Sequence, residues 1–169
     1  VSCSHGTLHL TEDFVRFDLE PVGEGLVSPH VTDFSRRYQV MSRYQMNDLL
    51  QLADKPCACG SPLQAVEAVV GRQDDVFWFD EVMVTPDVLR NAVLNADPSI
   101  EDFRLRQGTD GRVELALPLG LSETVKAAAV QGVEVLLKRR GVEASVGLAE
   151  LDQADLYARK LRRVERLRS

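Results

Sequence analysis

The apolar pattern of the chain changes character at "GRQDD", Gly71 to Asp75. Before it, the residues read as short strands. "TLHLTEDFVRFDLEPV" mostly alternates, with Leu8, Leu10, Phe14 and Phe17 as core candidates. "EGLVSPHVTDFSRR" and "VMSRYQMNDLLQLA" read as further strands broken by Gly25 and Pro29, and "DKPCACGSP" is a turn cluster. Short strands punctuated by turns predict a small β-barrel-like subdomain over 1–70.

After the break, helical periods enter. "DVFWFDEVMV" is a strand or hairpin. "TPDVLRNAVLNAD" predicts a helix, with Thr85 as N-cap, Pro86 in the first turn, and Val88, Leu89, Ala92 and Val93 as its apolar stripe. "IEDFRLRQGTDGRVELALPL" gives two strands around "GTDG". "SETVKAAAVQGVEVLLKRRG" is a helix capped by Ser122 and ended by Gly141, with Ala129, Val133 and Leu136 on one face. "VEASVGLAEL" is a last strand before a charged tail. The order β-α-β-β-α-β predicts a ferredoxin-like unit within 76–169. The class is therefore α+β: a β subdomain over 1–70, a hinge at 71–75, and a second small domain over 76–169. That superfold names no function by itself.

Composition narrows the partners. The 169 residues are 44% hydrophobic, enough to build a core, and carry a net charge of −6, which argues against nucleic acid as the main partner. No apolar run approaches the roughly 20 residues a membrane span needs. The opening "VSCSHGTLHL" is polar and mixed, unlike a signal peptide, and it begins without Met, so the chain reads as a piece of something longer. Three cysteines are an odd number, and Cys57 and Cys59 stand too close for easy pairing with each other. A reducing, cytoplasmic setting is expected.

Four groups of residues carry chemistry. Cys3 and His5 in "CSH", with Cys57 and Cys59 in "CAC", offer two ligand pairs from two separate turns, the makings of a tetrahedral structural zinc site. His9 is an alternative to His5, held to one face of its strand. Three inert buried cysteines are the plain alternative. In "SRYQMNDLLQL", Asp48 can accept two hydrogen bonds from a vicinal diol, or simply sit in a turn after Asn47. In "GRQDD", Arg72 offers a planar fork for phosphate or carboxylate, with Asp74 and Asp75 beside it. The tail "YARKLRRVERLRS" is rich in Arg and Lys and reads by default as a solvated basic face.

In order, "CSHGTLHLTEDFVRFDLEPVG", "RYQMNDLLQL", "CACGSPL", "GRQDDVFWF" and "KLRRV" resemble the carboxyl-terminal part of the adenylate-forming enzymes. Within these they are most similar to the branch of phenylacetate-coenzyme A ligase and the coenzyme-F-adenylating synthetases. The resemblance is most specific from Ser42 to Val76.

It implies attack by a carboxylate on the α-phosphate of ATP, giving an acyl-adenylate and pyrophosphate. Transfer to a thiol such as coenzyme A then follows rotation of a small lid domain. It also implies roles: Asp48 on the ribose hydroxyls, Arg72 at the nucleotide side, Asp74 as the hinge, and Lys160 entering the site for adenylation. Neighbouring Arg159, Arg162 and Arg163 are the alternatives to Lys160. The implied small-molecule partners are ATP with magnesium and a small carboxylic acid, held with the help of an upstream domain. The glycine-rich phosphate-gripping segment is not in this chain, so this stretch alone is expected to be inactive.

The sequence departs from the family pattern at three points. Met46–Asn47 replaces the usual Thr-Gly before Asp48. "FWFDEVMVTP" lacks a glycine where relatives often carry one on the loop near the thiol acceptor. Asp80 and Glu81 in that loop would repel a phosphate-bearing acceptor. The rival reading, from another class, is a zinc-stabilised, non-catalytic binding module whose basic tail docks a partner.

Overall fold

The structure is a computed structural model that describes residues 1–151 and 162–167. The fold is α+β, with several sheets and two helices among the described residues. It divides into two compact units, Val1–Gln73 and Asp74–Ser169. No helix among the described residues is long and apolar enough to cross a membrane.

Unit one is all β. Strands β1 (Leu8–His9), β2 (Val15–Gly23), β3 (Leu26–Asp33), β4 (Met41–Gln45), β5 (Asp48–Leu52) and β6 (Ala65–Arg72) form one sheet in the order β1-β6-β5-β3-β2, with β4 also on β3. Every pairing is antiparallel. Among the described residues the strand path is open rather than closed into a ring, so the expected barrel is a bulged open sheet. The β2–β3 hairpin turns on Glu24 and Gly25, both at positive φ, the backbone that a tight two-residue hairpin turn requires.

Pro29 does not break its strand. It pairs with Leu19, and its carbonyl accepts from the Met46 amide (2.9 Å). It lies where β3 changes neighbour, from β5 at Leu26–Val27 to β4 at His30–Val31, and there a missing N–H is tolerated. Leu10, Leu50 and Val66 form a small core, with Phe17, Leu19, Val27 and Leu52 packed against it. Phe14, expected inside, is 62% exposed.

Unit two holds the larger core. The hairpin β7 (Phe77–Phe79) and β8 (Val82–Val84) precedes helix α1 (Pro86–Leu94). Then come β9 (Arg104–Gln107), β10 (Val113–Leu117), helix α2 (Glu123–Arg139), β11 (Val146–Glu150) and β12 (Val164–Arg166). The Ser122 hydroxyl accepts from the Val125 amide (3.3 Å) to cap α2. Thr85 is extended at the N-cap of α1, but its hydroxyl bonds Asp87 instead of a backbone amide.

Gly141, at positive φ, ends α2, and the Val142 amide reaches back to the Leu137 carbonyl (3.0 Å). The fully buried face of α2 is Ala129, Val133 and Leu137, while the predicted Leu136 is only partly buried. With Phe77, Leu89, Val93, Phe103, Leu105 and Leu115 they form one core. Gly132 lets α1 and α2 approach closely: a Cβ there would stand 2.8 Å from the Ala92 carbonyl oxygen.

The expected ferredoxin-like sheet needs a correction in one strand. Its four strands run β11-β10-β9-β12. The strand before α1 is absent from it: β7 and β8 pair with each other in a separate two-stranded sheet. The place beside β9 is taken by β12, parallel to it, from the charged tail. The physical reason lies in Gln107, whose side chain donates to the Trp78 carbonyl (2.8 Å) and accepts from the Trp78 amide (3.0 Å). It thus supplies β7 with the bonds a neighbouring strand would have given. The edge of β9 is left to β12 through Leu105 N–H to Arg163 O (2.8 Å) and Leu167 N–H to Gln107 O (2.9 Å).

Candidate functional site

Two constellations in unit one assemble residues distant in sequence. In the first, β1 pairs with the start of β6 (Leu8 opposite Val66, His9 opposite Ala65). That pairing carries the amino-terminal turn to the loop between β5 and β6. The turn is set by Gly6, at positive φ, whose amide bonds the Cys3 carbonyl (2.9 Å). The facing turn is set in the same way by Gly60, whose amide bonds the Cys57 carbonyl (3.1 Å).

The result is a group of Cys3, His9, Cys57 and Cys59 whose ligand atoms all lie within 4.8 Å of one another. The Cys3 and Cys57 sulfurs are 3.8 Å apart, and the Cys59 sulfur is 3.5 Å from His9 Nε2. His9, not the expected His5, completes the group. His5 is exposed on the turn, whereas His9 is 4% exposed. The alternation that holds His9 to one face points it at the cysteines and leaves Leu8, a predicted core residue, largely in solvent.

The surroundings suit a metal. His9 Nδ1 lies 3.1 Å from the Leu63 carbonyl. A carbonyl only accepts, so Nδ1 carries the proton and Nε2 turns its lone pair toward the sulfurs, the tautomer of a ligating histidine. The Ser61 amide donates to the Cys59 sulfur (3.4 Å). The Thr7 hydroxyl and the Cys59 amide hold the Cys57 thiol down to about 6. Burial pushes Cys3 up, but the His5 amide, the His9 ring and the Thr7 amide outweigh it and its pKa falls. His9 is raised, first by the Leu63 carbonyl and then by the thiols of Cys3 and Cys57. Cys59 moves the other way: the Ser61 amide lowers it, but burial and its two sulfur neighbours raise it more. Two thiols drawn toward ionisation, a third thiol and an imidazole lone pair converge on one point, and a divalent cation bound there would replace the thiol protons.

In the second constellation, Asp48 opens β5 and Arg72 closes β6, and the ladder sets them directly opposite each other. Both are half-buried. The Gln73 amide donates to the Asn47 carbonyl (2.8 Å), which extends the pairing one step past them. The chain then turns through a short 3-10 segment, Gln73–Asp75, which contains Asp74.

In unit two, Asp75 is 5% exposed and lies 3.4 Å from Arg162 Nη1, a contact that sequence reading missed. Arg162 also faces Glu165 (3.9 Å). Arg163 donates to the Glu101 carbonyl (2.8 Å) and faces Asp102 (3.6 Å). These two alternatives to Lys160 are thus engaged in ion pairs. Lys160 itself and Arg159 lie outside the described residues.

No protein-family model matches the chain, and no curated protein matches it. Solved structures do. The chain is similar to 2-hydroxyisobutyryl-CoA ligase, solved in the postadenylation state with 2-HIB-AMP, at 20% identity and a TM-score of 0.66 over 93% of this chain and 37% of that one. It is similar to the GH3.15 acyl acid amido synthetase at 24% identity and a TM-score of 0.53, over 83% of this chain and 28% of that one. It is also similar to a structure from the fatty acyl-adenylate ligases of E. coli and L. pneumophila, at 14% identity and a TM-score of 0.55, over 90% of this chain and 28% of that one. The chain therefore shares its fold with part of the acyl-adenylate- and CoA-forming ligases, in agreement with the resemblance read from its motifs. It spans well under half the length of each.

Proposed function

We propose that this chain is the carboxyl-terminal portion of an acyl- or aryl-adenylate-forming ligase of the phenylacetate-coenzyme A ligase-like branch, working in a reducing cytoplasm. The observation that supports it best is the meeting of Asp48 and Arg72 on one ladder, in a fold shared with such ligases. In the complete enzyme a carboxylate oxygen attacks the α-phosphorus of ATP. The new P–O bond forms as the bond to the bridging oxygen breaks, and pyrophosphate leaves with magnesium. Asp48 accepts from the ribose hydroxyls. Arg72 stands at the nucleotide side and Lys160 at the reacting phosphate, where positive charge offsets the charge that develops. Asp74 is the hinge, and unit two is the lid that delivers Lys160 and then withdraws it for transfer to a thiol acceptor such as coenzyme A.

The test is acid-dependent exchange of pyrophosphate into ATP by the complete ligase, over a panel of aryl and short acyl carboxylic acids. Exchange that needs an acid and is lost in Asp48→Ala supports the reading. A folded enzyme that exchanges with no acid in the panel rejects it.

The second reading is a non-catalytic binding module with a basic docking tail, which the four-ligand group fits equally well. Both readings take Cys3, His9, Cys57 and Cys59 to hold a structural zinc. Four protein ligands leave no open position for catalysis, and the ion's work there is to join two turns.

A further inference from the structure

Unit two contains a pocket that none of these roles uses. It measures about 470 Å³ and is walled by Trp78, Gln107, the Gly108–Gly111 turn, Arg166 and Leu167. That size falls within the range of small-molecule sites, about 300 to 1,000 Å³.

Its construction is specific. Gln107 is 2% exposed and spends its whole amide on the backbone of Trp78. The backbone of Trp78 is therefore pinned to β9, and the residue, 39% exposed, lines the pocket. Arg166 stands beside Gln107 across the β9–β12 ladder. Arg106, Arg162 and Arg163 around it all face carboxylates, whereas Arg166 is exposed and makes no ion pair among the described residues. The turn closes through the Gly111 amide on the Gly108 carbonyl (3.0 Å) and presents the exposed Thr109 hydroxyl.

An exposed indole, a planar guanidinium and a hydroxyl thus line one hollow. An aromatic face stacks a nucleobase for about 1 to 3 kcal/mol. A guanidinium fork matches the oxygens of a phosphate. An aliphatic acid would use the arginine and waste the indole, and an uncharged ring would do the reverse.

We infer that this pocket binds a purine nucleotide, with the base on Trp78 and a phosphate on Arg166. The inference does not rest on the ligase reading, because it uses other residues.

Trp78 is the chain's one tryptophan, so its fluorescence reports this pocket directly. The protein is titrated with ADP, with adenosine and with pyrophosphate, exciting at the red edge of indole absorption, beyond adenine. ADP is expected to quench saturably and to bind more tightly than either part, since each part makes one of the two contacts. Arg166→Gln is expected to weaken ADP roughly ten- to a hundredfold, the scale of one charged hydrogen bond, with an unchanged melting temperature. No saturable quenching by ADP overturns the proposal, as does an Arg166→Gln protein that binds ADP as before. Loss of the signal in Asp48→Asn also overturns it, because the nucleotide would then be acting from unit one. The acid-dependent exchange assay on the complete ligase is a separate result, so the two readings fail independently.

Discussion

Asp48 and Arg72 are cross-strand partners at the shared end of β5 and β6, although 24 positions separate them in the chain. Directly opposed residues on an antiparallel pair have Cβ atoms about 4.5 to 5.5 Å apart, so a carboxylate and a guanidinium stand side by side, close enough to meet one nucleotide as the proposed function requires. In the complete ligase, Asp48→Ala is expected to weaken ATP binding by about 2 to 4 kcal/mol, the loss of two charge-assisted hydrogen bonds. Equilibrium binding of ATP to both proteins measures it. An unchanged dissociation constant removes Asp48 from the nucleotide site.

The metal group makes a sharper distinction. Protein purified without chelators is expected to carry about one zinc per chain, a stoichiometry that follows from a single tetrahedral ligand set. His9→Ala and Cys57→Ala should lose it, while His5→Ala should keep it. Elemental analysis of the three variants decides, and zinc retained in His9→Ala but lost in His5→Ala would reverse the ligand assignment. Chelation should lower the melting temperature of the parent protein and leave that of Cys57→Ala nearly unchanged.

Lys160→Ala in the complete ligase should slow pyrophosphate exchange roughly a hundredfold or more, the scale of one preorganised charge at a reacting centre. It should spare transfer from a supplied acyl-adenylate. Arg159→Ala should do far less. Equal loss of both half-reactions in both variants would make the tail a docking or structural element.

Gly132→Ala tests the helix contact by its sign. In most helices this change stabilises by about 0.5 to 1 kcal/mol. Here the new methyl meets a backbone oxygen at 2.8 Å, which cannot swing aside as a side-chain tip can. Overpacking of that kind costs about 1 to 3 kcal/mol, so a net loss of stability is expected in thermal or denaturant unfolding. A stabilised Gly132→Ala protein would show that α1 and α2 are not held as close as described.

Sequence and structure agree where local signals are strong. The α2 cap at Ser122, its Gly141 stop, the hairpin at "GTDG" and the helix after Pro86 were all legible, because each is fixed by residues within a few positions. The misses are non-local. Nothing near Val164 announces a strand, since its pairing with β9 depends on an edge that Gln107 leaves open from 57 positions upstream. In the sequence His9 ranks below His5 because its strand holds it to one face, and only the register of β1 on β6 shows that this face meets the cysteines. Phe14 lies one residue before β2 and out of phase with the inward Phe17 and Leu19, so strand alternation turns it to solvent.

The Cys3–Cys57 contact joins positions 54 residues apart. An ion bound there acts on the unfolded chain as much as on the folded one, because it forbids the many conformations in which the two turns drift apart. For a covalent link closing a loop of that length, the loss of chain entropy would amount to about 4 kcal/mol. Most of unit one lies inside that loop, whereas the Leu10, Leu50 and Val66 core offers few buried side chains to hold it shut. The folded fraction of unit one should therefore follow the free concentration of the metal, so that its supply sets how long the β sheet survives.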